Sequence, residues 1–216
     1  MIDDVSKFER NISGRDGADG IIEAIFVEIG TTNKYFVEFG SFPCRDNTTH
    51  LSKMGWSGLV MDGNGTGVVK KEKITAENIN QLFAKYSVPA DFDLLSIDID
   101  SNDYWVWKAI VWYRPRVVII EYNSHIPPNE SRSVTYDPNL IWDGSDYYGA
   151  SLLALADLGT SKGYTLIGCD KIGANAYFVL TELACGKFKG GTVREIYRPP
   201  GFRRYTHRRI MPSISV

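Results

Sequence analysis

The chain has 216 residues, 44% hydrophobic and 23% charged, with a formal net charge of -2. That composition fits one ordinary folded domain and excludes a chain that is disordered throughout. The net charge says little about partners, but its distribution says more: from Lys187 onward there are eight Lys or Arg against the single Glu195, which leaves the rest of the chain acidic.

The three cysteines, Cys44, Cys169 and Cys185, are odd in number and lack CxxC spacing. They speak against a disulfide framework or a zinc site and for a reducing compartment. The opening Met1-Ile-Asp-Asp is acidic and polar, and no apolar run reaches membrane-spanning length. The expectation is a soluble, cytoplasmic protein without membrane contact.

In chain order, residues 1–19 read as a polar lead-in. Ile21, Ile22, Ile25, Phe26 and Ile29 recur at helical spacing and predict an amphipathic helix over 20–29. Strand one is expected at Tyr35–Phe39, with Gly40 opening a turn, and a short helix at 47–54. Strand two is expected at 58–61, and Gly63, Gly65 and Gly67 make the following loop flexible. A short third strand is expected at 68–70. Thr75 reads as the N-cap of the next helix, with Glu77 in its first turn and Ile79, Leu82, Phe83 and Tyr86 on one face.

Leu94–Ile99 is an apolar run that suits a strand buried on both faces. Residues 104–113 read as a helix stopped by Arg114-Pro115, and 116–122 as the clearest strand of the chain. Residues 123–148 form a long polar loop with Pro127, Pro128 and Pro138. A structureless loop of that length is usually functional, as a lid or substrate loop. A helix over 150–158 and two strands over 164–169 and 176–180, close enough to pair antiparallel, complete the body. Residues 1–19, 20–186 and 187–216 thus divide into lead-in, folded body and basic C-terminal extension.

Strand and helix alternate as in a doubly wound, mostly parallel Rossmann-like sheet, here with a terminal antiparallel pair. Ligands of such sheets lie at the carboxyl ends of the strands, where an acid can hold ribose hydroxyls. Asp62, at the end of strand two, points in this way to a nucleoside-containing cofactor.

The segments Val37-Glu-Phe-Gly40, Leu59-Val-Met-Asp62, Leu94-Leu-Ser-Ile-Asp-Ile-Asp-Ser-Asn-Asp103 and Val117-Val-Ile-Ile-Glu121 resemble those of class I S-adenosylmethionine-dependent methyltransferases, and more narrowly the FkbM-like group. The strand-four segment resembles the group's Ile-Asp-Val-Glu-Gly-x-Glu motif, with Asp98, Asp100, Ser101 and Asp103 in the places of its first acid, glutamate, glycine and last acid. The resemblance covers roughly residues 20–180.

It implies that Glu38, Gly40 and Ser41 lie under the methionine part of S-adenosylmethionine. It also implies that Asp62, Gly63 and Asn64 meet its ribose, and that Asp98 faces the methyl donor or a metal. The group usually carries Glu-x-Gly-x-Gly-x-Gly after strand one. Here only Gly40 remains of the three glycines, with Phe42 and Cys44 in the other places and Pro43 between them. Glycine matters there because the backbone passes close to the ligand, so the turn either runs differently or narrows the cofactor site.

Asp98, Asp100, Asn102 and Asp103 concentrate oxygen donors at one strand end, which suits Mg²⁺ or Ca²⁺. Asp98 with Glu121 and Asn123, which leave the adjacent strand at the same edge, could hold Mg²⁺ and lower the pKa of a substrate hydroxyl. Asn102 and Asp103 read instead as caps of the following helix. His125 can serve as base for a hydroxyl acceptor, or be an exposed loop histidine. His50 reads as part of a helix and His207 as part of the tail.

Tyr104, Trp105, Trp107, Trp112 and Tyr113 read as core packing. Tyr136, Trp142, Tyr147 and Tyr148 read as substrate contacts or loop packing. The expected activity is methyl transfer from S-adenosylmethionine to a hydroxyl oxygen of a small molecule or glycan, with Asp98 and His125 as catalytic residues. The basic tail, interleaved with Tyr197, Phe202 and Tyr205, suits nucleic acid, an acidic substrate, the acidic body of a second subunit in a homo-oligomer, or plain solvation. The rival readings are a binding or scaffold module on the same fold, and an RNA methyltransferase that uses the tail.

Overall fold

The computed structural model describes residues 1–14, 17–40, 47–201 and 214–216. Its centre is a seven-stranded sheet of strands β1 (Tyr35–Phe39), β2 (Ser57–Asp62), β3 (Lys70–Lys71), β4 (Asp91–Ile97), β5 (Arg114–Glu121), β7 (Tyr164–Cys169) and β8 (Asn175–Leu180). Their order is β3-β2-β1-β4-β5-β8-β7. All pairings from β3 to β5 are parallel, and β8 runs antiparallel to both β5 and β7. This α/β architecture, expected from the alternating pattern, is compatible with a Rossmann-like fold.

Period-2 alternation assigns each face of the sheet to its own core. Val37, Phe39, Leu95, Ile97, Val118, Ile120 and Phe178 face one cluster with α3 (Ile79–Lys85), α4 (Asp103–Ala109) and α5 (Leu152–Ser161). Phe36, Leu94, Val117, Ile119, Tyr177 and Val179 face the other, with α1 (Ala18–Ile29) and Leu51 of α2 (Thr49–Lys53). The lead-in joins this second layer through Val5, which is fully buried in a 3-10 turn at Val5–Phe8. The short helices α6 (Thr181–Ala184) and α7 (Val193–Ile196) follow the sheet.

The predicted apolar stripe of α1 is buried, while Val27 on its other side is 82% exposed. The helix starts at Ala18 rather than residue 20. The Asp19 carboxylate accepts the backbone N–H groups of Ile12, Ser13 and Gly14 (2.8, 2.7 and 2.9 Å), which folds the preceding chain onto the first turn. A Cβ at Gly20 would meet the Phe8 carbonyl oxygen at 2.1 Å, so the lead-in crosses the helix there because position 20 has no side chain.

Three other boundaries move for physical reasons. Thr75 is not a cap: α3 begins at Ile79 after a turn, and Asn78 accepts the Thr75 backbone N–H at 2.9 Å instead. α4 ends at Ala109, four residues short of expectation, because Ile110 is extended and the chain must return to pair Asp91 with Arg114. β5 therefore includes Pro115. That is tolerated because its ladder with β8 starts only at Val117, so the missing proline N–H leaves no gap in it.

Trp107 is 1% exposed and belongs to the core, but Trp112, expected there too, is 77% exposed beyond the helix end. The polar loop after β5 contains a two-residue strand, β6 (Arg132–Ser133), which pairs antiparallel with β9 (Ile214–Ser215). Among the described residues no helix is long and apolar enough to cross a membrane.

Candidate functional site at the strand tips

The register decides what meets at the carboxyl end of the sheet. Phe39 pairs with Met61 and with Ile97, and Ile97 pairs with Ile120. One residue further on, Asp62, Gly40, Asp98 and Glu121 fall into a single row across β2, β1, β4 and β5. Lys71, which pairs with Asp62, extends the row to the sheet edge. Asp62 and Glu121, strand residues of this row, share a face, here the α1 face, opposite Met61 and Ile120.

At the centre of the row the backbones of β1 and β4 crowd together. Gly40 has a positive φ of 74°, and a Cβ there would lie 1.3 Å from the carbonyl oxygen of Asp98. No side chain fits because the Asp98 carbonyl already fills that space, so Gly40 is what lets the ends of β1 and β4 come this close. Nearby, Glu38 is buried. Its carboxylate accepts the backbone N–H groups of Asn47 and Thr48 (2.8 and 3.2 Å) and the Thr48 hydroxyl. The Asn47 amide also donates to Ser96 Oγ at 3.1 Å. Glu38 thereby positions the chain leading into α2. Ser41 and the Phe42-Pro43-Cys44 turn lie outside the described residues.

Asp62 is half-buried, and one of its oxygens accepts the Asn64 backbone N–H at 2.6 Å. Gly63 and Asn64 are exposed, with open space where a Cβ at Gly63 would be. The tip of β2 is thus a tight, open turn.

At the tips of β4 and β5, Asp98, Asp100 and Glu121 can each bring an oxygen within 4.8 Å of the others. Three hard oxygen donors at that spacing suit a divalent cation. Asp100 has a positive φ of 57°. Asp103 stands behind this turn, fully buried, and accepts the backbone N–H groups of Ile99 (2.8 Å) and Ser101 (3.0 Å). Burial pushes its carboxyl up to about 6, against the lowering effect of those hydrogen bonds. Asp103 braces the loop that carries Asp98 and Asp100. It is not the N-cap of α4; that position is Asn102, whose side chain makes no capping bond.

Asn123 is fully buried. Its amide donates to the carbonyls of Asp146 and Tyr148 (2.8 and 2.9 Å), and its oxygen accepts the His125 backbone N–H at 3.1 Å. It ties the end of the long loop to the tip of β5, and Asp100 stands in the third place where Asn123 was expected. The His125 ring packs edge-on to Tyr148 with centroids 6.3 Å apart, and Tyr148 meets Trp142 at 6.2 Å. Among the described residues, His125 is not one of the groups that could share a cation with the three acids.

The long loop is a fixed wall. Trp105 Nε1 donates to Val134 O at 2.8 Å, Asn102 to Asp137 O at 2.8 Å and Lys73 to Asn139 at 2.7 Å. The Tyr136 hydroxyl accepts the Ala76 backbone N–H at 3.2 Å and donates to Glu77. The aromatics expected to contact substrate thus divide: Tyr136 fastens the wall to the turn before α3, whereas Trp142 and Tyr148 gather beside His125. On the other side of β5, the Tyr122 hydroxyl donates to Arg198 O and that of Tyr197 to Ser124 O (2.7 and 2.6 Å), which seats the start of the basic extension against the sheet.

No protein family, curated protein or solved structure matches the chain.

Proposed function

We propose that the chain transfers a methyl group from S-adenosylmethionine to a hydroxyl oxygen of a small molecule or glycan. The observation that carries this reading is the tip row, in which Asp62, Asp98 and Glu121 end neighbouring strands with Gly40 between Asp62 and Asp98. A ligand with ribose hydroxyls at one end and positive charge at the other matches that row. The strand order, with one reversed strand next to β5, supports the same reading at the level of architecture; function cannot be read from the fold alone.

S-adenosylmethionine, when bound, supplies an electrophilic methyl group on a sulfonium. In this reading Asp62 accepts hydrogen bonds from the ribose hydroxyls and Gly40 lets the β1 turn pass close to the Asp98 backbone. Asp98 complements the positive charge, and Glu38 keeps the neighbouring turn in place. Rate enhancement comes mainly from holding the acceptor oxygen in line with the methyl group. The acceptor's proton passes to His125, and the wall carrying Trp142 and Tyr148 excludes water around it. Asp98, Asp100 and Glu121 would hold Mg²⁺, which could lower the pKa of the acceptor hydroxyl.

Calorimetric titration with S-adenosylmethionine and S-adenosylhomocysteine, with and without Mg²⁺, tests the reading. Micromolar binding is expected, weakened at least about tenfold in Asp62→Ala, the loss of about one charge-assisted hydrogen bond. Enhancement by Mg²⁺ that disappears in Asp98→Ala would assign the acids to a metal. Absence of binding under every condition would remove the methyltransferase reading.

A further inference from the structure

At the opposite, amino-terminal edge of the sheet lies an open cleft of about 490 Å³ that the tip chemistry does not use. The starts of β4, β5 and β7 and the ends of α4 and α5 enclose it. Trp107 and Tyr164 form an aromatic floor with ring centroids 5.9 Å apart, and the Tyr164 hydroxyl is occupied by Pro115 O at 2.7 Å. Trp112 stands on the rim, 77% exposed. A large indole held out in water beside a cleft has no packing role within the chain.

Lys162, at the end of α5, supplies the polar group. Its ammonium donates to Ile110 O at 2.7 Å and, at a longer 3.4 Å, to Lys108 O, and among the described residues no carboxylate pairs with it. The ammonium thereby caps carbonyls at the end of α4, using two of its three N–H groups. Burial holds its pKa below the ordinary lysine value, as expected for a cation short of compensating charge. The other cation in the cleft, Arg114, is already paired with Glu182 at 2.7 Å. Lys162 is therefore the cation in the cleft open to an incoming anion, and the repulsion from Asp91, exposed on the rim, is screened by solvent.

We propose that this cleft is a second binding site, for a small aromatic carboxylate. Its ring lies against the Trp112 indole and its carboxylate accepts the remaining N–H of Lys162. Aromatic stacking and a charge-assisted hydrogen bond supply the two anchors.

Calorimetric titration of the full chain with 2-naphthoate, and with the uncharged 2-naphthamide, tests the proposal. Saturable submillimolar binding of naphthoate is expected, with the amide at least about tenfold weaker. Trp112→Ala, a surface change that leaves the core intact, should weaken naphthoate about tenfold, and Lys162→Met should abolish the preference for the acid over the amide. The affinity for S-adenosylmethionine should be untouched, so failure here is separable from failure at the strand tips. Equal binding of acid and amide, no saturation at millimolar concentration, or indifference to Trp112→Ala would each overturn the proposal.

Discussion

At Gly40 the backbone turns with a φ of 74°, and an added Cβ would sit 1.3 Å from the Asp98 carbonyl. Gly40→Ala must therefore either displace the end of β4 or unwind that of β1. The expected cost exceeds about 1 kcal/mol from the backbone conformation alone, read as a lower urea midpoint, and ligand binding at the tips should fall further than stability does. Asp93 is a second residue of large consequence. Fully buried, it accepts the backbone N–H groups of Thr32 and Lys34 and the Arg116 guanidinium at 2.8 Å, while Arg116 also donates to Ile29 O and Gly30 O. Asp93→Ala strands that guanidinium and should cost about 3–5 kcal/mol, measured by denaturant unfolding.

Asp170 adds a pH dependence. It is buried in the β7–β8 turn, where desolvation pushes its carboxyl up to about 6 despite hydrogen bonds from Ala174 and Asn175. An unfolded aspartate titrates near 3.9, so between about pH 4 and 6 the folded state holds the extra proton. This residue's contribution to stability is therefore full below pH 4 and lost as pH rises through about 6. Asp170→Asn should flatten that part of the stability profile, and an unchanged slope would refute the assignment.

At the scale of elements, the long loop after β5 is where pattern and packing diverge. Its proline and polar content predicted irregular chain, and most of it is irregular. Nothing local showed that Trp105, Asn102, Lys73 and Glu77 would fasten it down, because each bond joins residues 29 to 66 positions apart. Trp105→Phe removes one fastening, leaves Val134 O without its partner, and should cost about 1 kcal/mol. Faster amide hydrogen exchange over residues 134–139 than in the wild type is the expected readout. Helix ends were misread for a related reason. The stripe of α1 was visible as a period of 3.6, but its start depends on a carboxylate bonding to residues 12–14, and the end of α4 on the pairing of β4 with β5.

For the whole molecule, local pattern was enough to predict a mostly parallel sheet with a terminal antiparallel pair, because strands buried on both faces must be continuously apolar and helices between them must carry an apolar stripe; that the reversed strand inserts beside β5 came from the assembled sheet. It was also enough to mark Asp62, Asp98 and Glu121 as polar groups ending apolar runs. Which acids become neighbours was a matter for the assembled sheet. Register aligns Asp62, Gly40, Asp98 and Glu121 from four strands spread over some eighty residues. Asp100 rather than Asn123 joins the acids, since Asn123 is drawn under the wall by the carbonyls of Asp146 and Tyr148. The exposure of Trp112 was equally invisible, since it follows from where α4 stops. Periodicity reports the side of an element a residue occupies; it cannot report distance between elements, which strand order, register and long-range hydrogen bonds set together.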